Sequence, residues 1–326
     1  MNQLHPLKFE PILMDKIWGG NKLNTLLNKE NATDKAGESW ELSGVEGNIS
    51  VVSNGFLAGN NLDELIKEYK GELIGQKVFE VFGTEFPLLI KYIDACDDLS
   101  IQVHPNDKQA ADRHNSFGKT EMWYVLQADE GAQLISGFNQ KVDKEMYLKK
   151  LSENKILDLL NNETIKAGDV YFIPAGRIHA IGKGCVIAEI QQTSDITYRV
   201  YDYDRKDNDG NTRMLHTEEA VEVIDYDYSE NYKTKYTSSI NQPTELVDCK
   251  YFTTNLLEID DNIERDMSSN DSFTIYMGIE GEAEIVLSNN DITTIRKGET
   301  ILIPAVLSKY QINPKGSAKL LEVYIK

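Results

Sequence analysis

Cysteine is scarce in this chain: Cys96, Cys185 and Cys249 are the whole complement of 326 residues. An odd number at wide spacing excludes a disulfide framework and any paired-cysteine metal knuckle, and the three read as small buried hydrophobes. Long apolar runs are missing as well. No window approaches the roughly 20 apolar residues that a membrane-spanning helix needs, which excludes a membrane partner. The opening Met1-Asn2-Gln3-Leu4-His5-Pro6 has no charged stretch leading into an apolar one, so the expected location is the cytoplasm. Positive charge is the third shortage. Against 53 Asp and Glu stand 34 Lys and Arg, a formal net charge of −19. Such a field repels polyanions, and without a concentrated basic patch it excludes a nucleic-acid partner. An anionic substrate must then be caught locally, which makes Lys119 and Arg199 candidate ligands for a phosphate or carboxylate.

What is present is β-strand pattern. The run Phe86-Pro87-Leu88-Leu89-Ile90-Lys91-Tyr92-Ile93-Asp94-Ala95 is nearly continuous in apolar residues and reads as a buried strand whose Lys91 needs a partner. Between Asn61 and Tyr69 the spacing of Leu62, Leu65 and Ile66, with acids early and lysines late, predicts a short surface helix. Residues 141–162 carry apolar positions at helical spacing around a break at Ser152-Glu153-Asn154, which predicts two small helices inserted between strands. From Glu218 to Glu245 the chain turns polar, acidic and tyrosine-rich and reads as a connection between domains.

An internal repeat organises the rest. Ile165-Lys166-Ala167-Gly168-Asp169-Val170-Tyr171-Phe172-Ile173-Pro174-Ala175 matches Ile295-Arg296-Lys297-Gly298-Glu299-Thr300-Ile301-Leu302-Ile303-Pro304-Ala305 at a constant offset of 130 residues. In both copies a Gly-acid turn feeds a buried strand ending in Pro-Ala, as in one strand pair of a jelly roll. The expected architecture is mainly β, with two jelly-roll barrels and a small α-helical insertion. Residues 1–225 form the first barrel with its insertion near 141–162, and residues 226–326 form the second. The offset carries His179 to Lys309, and Phe273-Thr274-Ile275-Tyr276 stands where the first copy has Glu121-Met122-Trp123-Tyr124. The second barrel therefore keeps the fold and lacks the chemistry.

That chemistry is written in three short segments. On a strand, Ser100, Gln102 and His104 face one way while Ile101 and Val103 face apolar packing. Lys119, Glu121 and Trp123 repeat the device on a second strand. Asp169 to Ile181 reads as a strand, a Pro-Ala-Gly turn and a return strand that presents His179. Two imidazoles, a carboxylate and an amide oxygen form a donor set that suits zinc and can also hold iron or manganese, with a water or substrate oxygen completing the shell.

Taken together, Ser100-Ile101-Gln102-Val103-His104-Pro105, Gly118-Lys119-Thr120-Glu121, Pro174-Ala175-Gly176-Arg177-Ile178-His179 and Gln191 through Arg199 closely resemble type I mannose-6-phosphate isomerases. Ile17-Trp18-Gly19-Gly20 and Gly37-Glu38-Ser39-Trp40 belong to the same likeness, which runs from near residue 7 to about 217 and more loosely through the second barrel. The resemblance implies a cupin-type double barrel, or bicupin, and one zinc ion per chain held by Gln102, His104, Glu121 and His179. It also implies interconversion of mannose 6-phosphate and fructose 6-phosphate through an enediol. It places Arg199 and Asp195 in catalysis, Asp195 lying four residues earlier on the same face of an extended strand. Lys119 and Ser100 would bind the phosphate or hydroxyls of the substrate. The expected partner is a small sugar phosphate, and the expected assembly is a monomer or weak homo-oligomer. Two other readings compete: a cupin of different chemistry such as an iron dioxygenase, whose shell is usually richer in histidine, and a non-catalytic sugar-binding relative.

Overall fold

The computed structural model describes residues 4–206 and 210–326 and is mainly β, arranged in three sheets. In the front part a six-stranded sheet faces a five-stranded one. The first runs in the order Ile12–Gly20, Ala36–Leu42, Leu88–Ala95, Cys185–Gln192, Glu121–Ala128, Val170–Ile173. The second runs Tyr198–Tyr201, Ile101–Val103, His179–Ile181, Gln133–Phe138, Leu160–Thr164. Every pairing in both is antiparallel. Their inner faces share one core, to which Ile93, Trp123, Tyr171 and Ile187 come from one sheet and Leu134 and Ile181 from the other.

Both sheets are covered on the outside too, and this explains why their strands do not alternate cleanly in polarity. Leu88, Ile90 and Tyr92 pack outward with Ile275, Met277 and Leu321 of the C-terminal sheet. Ile101, Val103, Ala180 and Val200 pack outward with Tyr147, Ile156 and Ala220 from helical segments. The inward residues between them are the places where a polar side chain is conspicuous: Lys91, Glu189 and Gln191.

The third sheet has eight strands, with Thr274–Leu287 and Lys309–Tyr324 at its centre. These two long strands break register near Gly278 and Gly281 and bend. One end packs on the front sheet, and the other encloses a separate core of Leu257, Ile285, Ile301 and Ile312. Gly281 takes φ +73, and a Cβ there would lie 2.1 Å from the Ser317 carbonyl oxygen, so the bend requires glycine. The N-terminal pair Leu7–Lys8 hydrogen-bonds to Thr300–Ile303 and so joins this third sheet.

Several elements depart from the sequence reading. The helix at Leu62–Tyr69 and the strand at Leu88–Ala95 form as expected. Of the two helices expected in 141–162, Lys144–Ser152 is one, but Ile156–Leu159 is a single 3-10 turn, because Leu160–Thr164 is drawn into the edge of the five-stranded sheet. The polar stretch after residue 217 begins as a helix, Thr217–Val223, that buries Ala220, Val221 and Val223. It continues as a strap on the front sheet, with the Thr234 amide bonded to Val170 O and the Tyr236 hydroxyl to Gly168 O. A further helix, Asp107–His114, is capped reciprocally by Asn106 and Gln109. No helix among the described residues is long and apolar enough to cross a membrane.

Candidate metal centre

Register builds the site. Gln102 stands opposite His179 on one neighbouring strand and opposite Arg199 on the other, so the three side chains form a row on the inner face of the five-stranded sheet. His104 follows two residues after Gln102, just past the strand end. Glu121 begins a strand of the facing sheet and pairs with Ile173. The segment after Ile173 carries the chain across. Val170–Ile173 belongs to the six-stranded sheet and His179–Ile181 to the five-stranded one, so the Pro-Ala-Gly turn is a crossing between sheets and not the hairpin its sequence resembles. That crossing lets a carboxylate from one sheet meet imidazoles from the other. Gly176 sits in it at φ +87, where a Cβ would press on Val223 O at 2.9 Å, and its amide bonds to His104 O.

His104, Glu121 and His179 converge with ligand atoms within 4.8 Å of one another. His104 Nε2 lies 3.2 Å from Glu121 Oε1, and His179 Nε2 lies 3.8 Å from Glu121 Oε2. All three are buried: 1%, 1% and 0% exposed, respectively. The Nδ1 of His104 bonds to Ile196 O at 2.9 Å and the Nδ1 of His179 to Arg177 O at 2.8 Å. Each ring is thereby fixed with Nδ1 as donor and the Nε2 lone pair turned inward, the outer-shell arrangement of a ligating histidine. Burial, with the nearby charge of Lys119, holds the His104 imidazole neutral, its pKa pushed down to about 3, and burial lowers that of His179 as well. Burial opposes ionisation of Glu121, but the charge of Lys119, 3.3 Å from Oε1, overcomes it and keeps the group a carboxylate. The amide nitrogen of Gln102 faces His179 Nε2 at 3.4 Å, and a half-turn of that amide presents its oxygen instead.

The decisive feature is what these atoms do not bond. His104 Nε2 and both Glu121 oxygens are buried without a hydrogen-bond partner, in a fold where such atoms are rare and costly. Two imidazole nitrogens and a carboxylate, with an amide oxygen in reach, are the donor set of a borderline divalent cation. The residues present therefore fit a metal ion, and the donors are pre-oriented for it.

The other expected residues fall around one pocket of about 380 Å³, lined among others by Ser100, Gln102, Lys119, Asp195 and Arg199. Lys119 lies in the loop before its strand, not on it, and reaches Glu121 Oε1 at 3.3 Å. Ser100 is buried. Arg199 is held on its strand, with Nη1 donating to Met214 O at 2.9 Å and Nε buried without a partner. Asp195 is exposed and lies in the loop between Cys185–Gln192 and Tyr198–Tyr201. It does not share a strand face with Arg199, as the sequence spacing suggested, because the chain is changing sheets there; what the two share is the pocket wall.

Sequence reasoning left a second polar group unassembled. Lys91 Nζ bonds Glu189 Oε1 at 3.0 Å and Gln191 Oε1 at 2.9 Å, and Trp123 Nε1 donates to Glu189 Oε2 at 2.9 Å. Glu38 accepts from Trp40 Nε1 at 2.7 Å and pairs with Lys16 at 3.3 Å. Burial alone would neutralise Lys91, but Glu189, Glu38 and Glu121 outweigh it and keep the ammonium charged. The signal was available: Lys91 interrupts an apolar run, and Glu189 and Gln191 interrupt its antiparallel neighbour two residues apart.

Comparison with known proteins agrees with this geometry. Residues 7–133 match the phosphomannose isomerase type I catalytic domain, and residues 242–325 match the mannose-6-phosphate isomerase cupin domain. The chain is 36% identical to the mannose-6-phosphate isomerase of Streptococcus mutans, over 94% of this chain and 95% of that protein. It is 34% identical to that of Bacillus subtilis over the same shares of each. A crystal structure of mannose 6-phosphate isomerase from Bacillus subtilis superposes with a TM-score of 0.89 at 31% identity, covering 99% of this chain and 100% of that one. With its mainly β, cupin-type architecture and a buried His-Glu-His cluster able to hold a metal, the chain belongs to the type I phosphomannose isomerases, a family of isomerase enzymes.

Proposed function

We propose that this enzyme interconverts mannose 6-phosphate and fructose 6-phosphate at one zinc ion per chain, held by Gln102, His104, Glu121 and His179. The observation that carries the reading is the set of three buried donor atoms, His104 Nε2 and the two Glu121 oxygens, that no protein hydrogen bond satisfies. The family likeness supplies the substrate pair. Aldose–ketose conversion moves a proton between C1 and C2 through an enediol, so charge builds on the sugar oxygens. A bound zinc ion supplies Lewis-acid polarisation of those oxygens.

The chain's own residues do the rest. Arg199 stands across from Gln102, with N–H groups left over to donate to the developing enediolate. Asp195, in the pocket wall, moves the proton between the two carbons. Lys119 sets the ionisation of Glu121 and, with Ser100, binds sugar hydroxyls. In this reading the chemistry resides in residues 1–225, and residues 226–326 form a barrel without ligands.

The test is an isomerase assay on mannose 6-phosphate before and after chelation, with metal analysis alongside. Activity lost to the chelator and restored by zinc is expected; full activity in metal-free protein refutes the reading. Arg199→Ala is expected to lower turnover by about 100- to 1,000-fold with metal content intact, and an unchanged rate removes Arg199 from catalysis.

A further inference from the structure

In the reaction proposed above, one end of the substrate reacts and the other carries a phosphate, and the pocket's cations are not equally free to meet it. Lys91 is spent on Glu189, Lys16 on Glu38 and Lys119 on Glu121. Lys119 is also the cation beside the metal ligands, so it serves the reacting end. Two guanidiniums remain in the pocket wall, Arg199 and Arg213. Arg199 has no carboxylate partner among the described residues; it donates to a neutral carbonyl. Arg213 is bound to Asp202, with Nε donating to Oδ2 at 2.7 Å and Nη2 to Oδ1. The same buried carboxylate also accepts from Arg205 Nη2 at 2.6 Å, while Asp97, exposed and 3.9 Å from Arg205, adds little. Two guanidiniums therefore share one buried carboxylate, and the charge of a third, Arg199, is close enough to act on them, in a chain whose overall charge is −19. Burial and the like charges of Arg213 and Arg205 outweigh the charge of Asp202 and lower the pKa of Arg199.

Position separates the roles of the two. Along Tyr198–Tyr201 the register runs from Tyr198 opposite Val103, through Arg199 opposite Gln102, to Tyr201 opposite Ile101. Asp202 follows, and Arg205 Nη1 donates to Asp98 O. Arg213, tied to Asp202, thus sits at the Ser100 end of the pocket, away from His104. The side of its fork not used by Asp202 has no other partner among the described residues. A phosphate monoester carries about −1.5 to −2 charges at neutral pH with three acceptor oxygens, and a braced guanidinium fork matches it in charge and geometry.

We infer that Arg213, braced by Asp202, is the phosphate clamp of this enzyme, holding the 6-phosphate at the far end of the pocket while C1 and C2 reach the metal. The inference rests on the isomerase reading for the substrate but on the charge cluster for the anion, and the two separate experimentally. Arg213→Gln and Arg213→Lys in the metal-loaded enzyme provide the test, with inorganic phosphate as the probe. For Arg213→Gln, the KM for mannose 6-phosphate rises about 10- to 100-fold, with a much smaller change in kcat. The inhibition constant of inorganic phosphate rises in parallel, and metal content is unchanged. Arg213→Lys, which keeps the charge and loses the fork, falls between. In thermal unfolding, inorganic phosphate raises the midpoint of the wild-type enzyme and not that of Arg213→Gln. Unchanged KM and unchanged phosphate inhibition overturn the clamp, as does a fall in kcat at constant KM. A wild-type enzyme inactive on mannose 6-phosphate but stabilised by phosphate through Arg213 overturns the isomerase reading and leaves the clamp standing.

Discussion

The two barrels of this chain bury a glutamate at the same place in the sheet, with matching donors, and differ in a second carboxylate that only the first barrel holds. Ile173 and Ile303 correspond through the repeat; Glu121 pairs with the first and Thr274 with the second. Two residues on, Trp123 corresponds to Tyr276; across the next strand, Glu189 corresponds to Glu322, and beyond it Lys91 to Asn255. The contacts correspond as well. Trp123 donates to Glu189 as Tyr276 donates to Glu322, and Lys91 donates to Glu189 as Asn255 donates to Glu322. In the second barrel Glu322 also accepts from Nε and Nη2 of Arg265, each at 2.8 Å, and Tyr310 closes the cluster through Tyr276. That interior is saturated. In the first barrel one more carboxylate, Glu121, is inserted where Thr274 stands, and apart from the 3.3 Å ion pair with Lys119 its oxygens take no hydrogen bond. Sheet architecture alone carries no chemistry; unsatisfied donors on the same architecture do.

The barrels also differ in how the fifth-from-turn position is aimed. His179 is fully buried, whereas the Lys309 side chain at the repeat-equivalent position is 69% exposed and pairs with Asp266. The neighbour Tyr310 is the one that turns inward. A one-residue change in register reverses which side chains face the core, so at this place the second barrel turns Tyr310 inward and leaves Lys309 at the surface.

The largest effect expected from breaking this contrast is in the front barrel. His179→Ala or Glu121→Gln should empty the site and cut kcat/KM by about 1,000-fold or more, while unfolding by denaturant changes little. Metal analysis and kinetics on the same sample check this, and full metal content in both variants refutes the ligand assignment. Next comes Glu322→Ala. It takes the buried carboxylate from Arg265, whose side chain is 16% exposed, and leaves the Tyr276 hydroxyl without its acceptor, a loss of about 2–4 kcal/mol in stability, with metal content and turnover per folded molecule unchanged. Denaturant titration checks it, and a fall in metal content would show that the barrels are chemically coupled. Smaller still, Trp123→Phe and Tyr276→Phe each remove one donor to a buried glutamate, at about 1–3 kcal/mol, and only the first should alter kcat/KM. Lys309→Ala, at the surface, should leave the melting temperature and activity as they were.

How much of this was legible before the fold was seen follows from which forces are local. The strand carrying Gln102, with His104 just past its end, announced itself by alternation, and the repeat at offset 130 announced two barrels. The residue types of Glu121 and the histidines suggested a shared donor set, but their convergence depends on a turn that leaves one sheet and enters another, which the sequence reads as a hairpin. Glu189 and Gln191 interrupt an otherwise apolar strand, but with both faces of that strand buried there is no polarity alternation to say which face they take, and their pairing with Lys91 needs the sheet register. Asp195 was misread as a strand residue because a sheet change looks like a strand in sequence when neither glycine nor proline marks it. The pairing of Arg213 with Asp202 crosses a loop whose ends meet only in three dimensions.

The most direct measurement is metal stoichiometry against activity during stepwise reloading of chelated enzyme with zinc. One ion per chain is predicted, with activity on mannose 6-phosphate rising in proportion and reaching its limit as the first equivalent is taken up. Full activity at zero metal, or a second equivalent required and retained by the C-terminal barrel, would contradict the account.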